Sequence, residues 1–161
     1  MEELLAAPLQ AKIALGTLAV ALGISVVTDL RSRLILNVVT LPALVIVCAC
    51  VLWLGGLSLL ADAALGLLVC AGPFSLMMLR GWMGAGDVKL MAVCGAVSGA
   101  AAGWPFALAV LLYVAVAGGV QSALWMLISK ARGRERPRYV PYGVAIAAGT
   151  MAAFLWGSAL F

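Results

Sequence analysis

Asp29 and Asp87 are the residues of this 161-residue chain best placed to do chemistry. Only six acidic residues are present. Glu2, Glu3 and Asp62 fall on one side of the topology read below, and Glu135 is embedded in a basic run from Lys130 to Arg138 that it partly neutralises. Asp29 and Asp87 instead sit at the ends of two long apolar runs, where two carboxylates from different helices can meet. An aspartate at a helix end is often only a cap or an interfacial residue. Ionisable groups at membrane depth are costly, however, and usually mark function. Asp87 also has a particular setting, Gly84-Ala85-Gly86-Asp87-Val88-Lys89. Two glycines before an acid at a helix entrance permit close backbone approach and unusual dihedrals, which a peptide substrate would use. The chain has no histidine. That removes serine–histidine and cysteine–histidine catalysis and every His-ligated metal. Cys48, Cys50, Cys70 and Cys94 lie inside apolar runs without CxxC spacing, so they read as small apolar packing residues. No metal and no cofactor is expected.

The elements that must position the two acids follow from composition. Hydrophobic residues make up 66% of the chain and charged residues 10%. A soluble domain of this size could not bury so much apolar surface, so the solvent must be lipid. An open strand edge cannot face lipid, so the apolar runs read as helices. They cover 8–28, 35–54, 58–79, 88–104, 105–129 and 140–160. Gly103, Trp104 and Pro105 mark a turn between the fourth and fifth; merging those two would give about twice the length a bilayer requires. The expected architecture is an all-α polytopic bundle of six transmembrane helices, forming a single membrane-embedded domain over 1–161.

Nine of the ten basic residues fall in alternate loops: Arg31 and Arg33; Arg80 and Lys89; and Lys130, Arg132, Arg134, Arg136 and Arg138. Only Lys12 lies on the other side. The positive-inside rule makes the basic side cytoplasmic, placing both termini on the outer face and both aspartates at the cytoplasmic edge. The run from Lys130 to Arg138 reads as a topology-fixing loop with lipid-headgroup contact as a by-product, not as a nucleic-acid patch. The acidic start, Met1-Glu2-Glu3, lacks the basic region of a secretory signal, so the first apolar run is expected to remain in the protein.

Three motifs carry a resemblance to a known family. Gly84-Ala85-Gly86-Asp87 and the residues through Ala92 resemble the GxGD motif of the type IV prepilin peptidases, which are intramembrane aspartyl proteases. Asp29 to Asn37, an aspartate followed by Arg31 and Arg33 and closed by Asn37, is similar to the family's first aspartate motif. Val140-Pro141-Tyr142-Gly143 is similar to the turn that opens its last helix. The likeness is closest to the short members that serve Flp-type pili. It implies Asp29 and Asp87 as catalytic residues. It implies Gly84, Gly86, Lys89, Arg31, Asn37, Pro141 and Gly143 as residues that bind substrate or shape the site. The family often has proline where Leu36 precedes Asn37 here. Neither the added region nor the tetracysteine pattern of long, methylating members is present, so methylation is not expected.

The resemblance further implies hydrolysis of one peptide bond, after a glycine, between a basic leader and the hydrophobic helix of a prepilin in the bacterial cytoplasmic membrane. One carboxylate would deprotonate water while the other, protonated, polarises the carbonyl, since like charges resist joint ionisation. Asp87, at a helix start, reads as the ionised base and Asp29, at a helix end, as its protonated partner. The alternative is a small proton- or cation-coupled transporter or channel subunit using the same acids; no inverted repeat supports it. A structural subunit of a secretion machine is a third reading.

Overall fold

In the computed structural model, residues 8–131 and 141–157 are described. They form four α-helices: α1 (Leu9–Ser32), α2 (Asn37–Leu79), α3 (Ala85–Ala131) and α4 (Gly143–Trp156). The expectation of six helices is corrected to four. The physical reason lies in the two junctions read as loops. Each is so short that the helix resumes at once, with non-helical dihedrals only at Gly56 (φ 63°, ψ −152°) in α2 and at Ala102 and Gly103 (φ 79°, ψ 173°) in α3. Both glycines take positive φ, where a Cβ would be strained. Pro105 follows the second break, where its missing N–H costs no helical bond.

The long helices are folded back at these breaks. A straight 43-residue helix would span about 65 Å. Contacts show two limbs instead. Asn37, at the start of α2, bonds to Lys89 near the start of α3, while the second limb of α2 runs antiparallel to α3, with Asp62 against Gly99 and Gly66 against Gly95. That limb returns to the same end, where Phe74 meets Tyr142. In α3, Phe106 packs on Phe154, Val114 on Gly149 and Gly118 on Tyr142. Its second limb therefore also comes back to the end at which α3 began.

Helix limits differ from expectation by about one turn. α1 continues past residue 28 to Ser32, where Arg33 in the left-handed region (φ 54°) ends it and donates its N–H to the Asp29 carbonyl at 2.9 Å. α3 begins at Ala85, not 88. Leu36 is extended at φ −78°, a value proline also adopts, so the backbone before α2 suits either residue. The expected loop after Lys130 and the final residues of the last run lie outside the described residues.

The first limb of α3 is the centre of the bundle: every residue from Leu90 to Gly99 is buried. A helix apolar all round belongs in an interior. Around it the core is made largely of Ala, Val and Gly, and small residues let helix backbones approach where lipid offers no hydrophobic drive. Large apolar side chains face outward, including Trp53, Leu57, Val38 and Leu79. Among the described residues three helices are long and apolar enough to cross a membrane, and α4, at 14 residues, is a shorter apolar helix.

Candidate active site

Asp29 projects from the last turn of α1 and is buried. Its Oδ2 accepts the Gly143 N–H at 2.7 Å. Gly143 opens α4, so this donor is one of the unpaired N–H groups of a helix start. The approach is possible because residue 143 has no side chain: a Cβ there would lie 2.9 Å from Oδ2 and 3.2 Å from the Asp29 Cβ.

Asp87 lies in the first turn of α3 and is half-buried. Its Oδ2 accepts the Gly84 N–H at 3.2 Å. An acid reaching back to the N–H just before its own helix is half of a capping box. Capping accounts for this one bond of Asp87. It does not account for Asp29, a buried acid from another helix close enough for the two carboxylates to interact electrostatically. Each acid thus has one oxygen held by a backbone N–H. Neither makes another hydrogen bond among the described residues.

Both carboxylates therefore meet a helix N-terminus, Asp87 its own and Asp29 that of α4. The contrast between a helix start and a helix end, on which unequal roles were expected, is cancelled by α4, whose docking on α1 could not be read from local sequence.

The remaining expected residues play different parts. Gly143 holds Asp29 and Gly84 holds Asp87. Lys89 donates from Nζ to Asn37 Oδ1 at 2.7 Å, tying the starts of α2 and α3 together beside the acids. Gly86 permits a close approach of a different kind from the one expected: a Cβ there would sit 2.7 Å from Ile35 Cβ and 3.1 Å from its carbonyl. The glycine thus seats the loop before α2. Neither Gly84 nor Gly86 takes positive φ; the left-handed residue of that connection is Gly81 (φ 71°). Pro141 is buried and its carbonyl accepts from Gln121 Nε2. Arg31 is exposed in the last turn of α1, and no hydrogen bond or ion pair of its side chain is made among the described residues.

Two residues near the site were not among the expected site residues, although one of them, Tyr142, lies within the Val140-Pro141-Tyr142-Gly143 motif. Tyr142 stands edge-on to Phe74, with ring centres 6.0 Å apart, and interacts electrostatically with Asp87. Gln121 is a lone amide in an apolar run, separated from its partner by 20 residues. Among the described residues no cluster of three or more His, Cys, Asp or Glu side chains could hold a metal.

The sequence profile of the type IV leader peptidase family matches residues 16–123. That stretch includes Asp29, Asp87, both glycines before Asp87, and the Asn37–Lys89 pair. No curated protein and no solved structure matches the chain. A match over two-thirds of the sequence, joined to long apolar helices, makes this a membrane protein: the chain belongs to the type IV leader peptidase family and is at that level a protease, a hydrolase whose family implies a prepilin substrate.

Proposed function

We propose that the chain is an intramembrane aspartyl endopeptidase that removes the basic leader of type IV or Flp prepilins, with Asp29 and Asp87 as the catalytic pair. The observation that carries this reading is a buried acid from α1 within electrostatic reach of the acid of α3, each fixed by one backbone N–H. Fixing one oxygen orients the other. Two carboxylates within electrostatic reach share a single proton readily, because joint ionisation is disfavoured. Water held between them loses a proton to the ionised partner and attacks the peptide carbonyl, which the protonated partner polarises. The proton then passes to the departing amine. The titration belongs to the pair, so neither acid is assigned a fixed role.

In this reading α1 and each limb of α2 and α3 cross the bilayer, with the shorter α4 packed among them. The chain is then one membrane-embedded domain, with its acids at the cytoplasmic edge of the bacterial inner membrane. A prepilin leader in the cytoplasm, joined to a membrane helix, brings its scissile bond, after a glycine, to that depth. Lys89, Asn37, Gly84, Gly86, Pro141 and Gly143 shape the site; Arg31 faces solvent and acts at most on the leader's surroundings.

The test is cleavage of a prepilin precursor by purified protein in detergent. Asp29→Asn and Asp87→Asn keep size and polarity but cannot exchange a proton. Each should lower kcat by about 100- to 10,000-fold with insertion and abundance near the parent's. Near-parent cleavage by either variant sinks the pair.

A further inference from the structure

We infer that Gln121 is a positioning residue for this reaction, holding the Pro141–Gly143 turn so that the Gly143 N–H meets Asp29. The inference rests on the reading of Asp29 as catalytic. Pro141 has no N–H, so its carbonyl is the one backbone group by which it can be tied. Gln121, half-buried on the second limb of α3, donates to that carbonyl from Nε2 at 2.5 Å. A carbonyl only accepts, so the amide must present its NH2 here.

The turn has little else to fix it locally. Tyr142, the residue before α4, makes no side-chain capping bond. Its ring is instead laid against α3 and α2: the hydroxyl fills the space beside Gly118, one turn before Gln121, and the ring stands edge-on to Phe74. Gln121 and Gly118 thus grip Pro141 and Tyr142 on either side of their peptide bond. The next residue is Gly143, whose N–H lies 2.7 Å from Asp29 Oδ2. Gln121 touches neither carboxylate; it acts through the turn.

Gln121→Leu keeps the bulk and removes the donor, while Gln121→Glu faces the Pro141 oxygen with a group that donates only when protonated. Both are compared with the parent and with Asp29→Asn in detergent, using a prepilin precursor. For Gln121→Leu, kcat per folded molecule should fall about tenfold or more, because small misplacements at a reacting centre are costly, while KM changes little. For Gln121→Glu, kcat relative to the parent should rise as pH is lowered from about 8 to about 5; the ratio for Gln121→Leu should stay flat. A parent-like kcat in Gln121→Leu overturns the inference. So does a Glu variant that tracks the Leu variant at every pH, or a loss explained wholly by less folded protein. If Asp29→Asn is inactive while Gln121→Leu is parent-like, only the positioning role fails. If Asp29→Asn cuts normally, the catalytic reading fails and the inference with it.

Discussion

At Gly143 the space a side chain would need is already taken by Asp29. A Cβ would press on both the carboxylate and the Cβ of that residue; the Cβ is fixed to α1 and cannot swing aside, and any shift of the carboxylate moves the reacting group itself. Gly84 differs: a Cβ there would lie 3.3 Å from Asp87 Oδ2, an atom that can swing by a few tenths of an ångström, and in ordinary contact, at 4.0 Å, with the Gly86 nitrogen. The two substitutions should separate. Gly143→Ala is expected to lower kcat by about 100-fold by displacing Asp29, with protein abundance near normal. Gly84→Ala should stay within about twofold of the parent, as for a substitution at an exposed position. Equal losses in a cleavage assay would show that the acids are not held as described. Both aspartates were legible in the sequence because an apolar chain has few charges to explain. The geometry that serves them was not. The Lys89–Asn37 bond joins residues 52 apart, and the Gly143–Asp29 bond joins residues 114 apart. Nothing in the local pattern pairs them.

A seam of glycines joins the second limb of α2 to the first limb of α3. Gly66 faces the backbone of Gly95 and Gly99, and Gly99 faces the Asp62 carbonyl. A Cβ at any of the three would run into main chain, which cannot rotate away. Asp87 stands eight residues before Gly95 on the same limb, so this seam sets the depth and rotation at which α3 delivers its acid. Gly95→Ala should therefore cost about 1–3 kcal/mol of stability, as overpacking does in a tight interior, read as a lower unfolding midpoint in detergent. Gly16→Ala, at a position with nothing within 4 Å, is the matched control and should leave the midpoint unchanged or slightly raised. An unchanged midpoint in Gly95→Ala would show that the limbs are not in backbone contact. Small-residue pairs in the sequence suggested helix packing without saying which helices meet. The breaks at Gly56 and Gly103 were legible because a glycine, or a glycine followed by Pro105, interrupts each apolar run. Their tightness was not, since a run ends in the same way whether the turn takes one residue or five.

Across the whole molecule, charge is segregated by end. Arg31 and Arg33 close α1, Arg80 follows α2, Lys89 begins α3 and Lys130 ends it. The contacts of Asn37 with Lys89, Phe74 with Tyr142, and Gly143 with Asp29 bring these termini to one end, with both acids. Lys12, in the second turn of α1, lies at the other. The asymmetry holds among the described residues without the basic run after Ala131. On the proposed reading, retention of Lys and Arg on the cytoplasmic side would set the direction of the bundle. The test uses a chain whose four cysteines are replaced by Ala or Ser. That replacement should leave cleavage largely intact: Cys70 and Cys94 are small buried side chains, and the bond from the Cys70 thiol to the Ala107 carbonyl is a weak one. Single cysteines are then returned at exposed positions. Ser58→Cys and Ala101→Cys, beside the two breaks, should react with a membrane-impermeant maleimide added outside intact cells. Ser32→Cys and Trp82→Cys, at the end that carries the acids, should react only after the membrane is opened. The reverse pattern would place Asp29 and Asp87 on the outer face, away from a leader that has not left the cytoplasm.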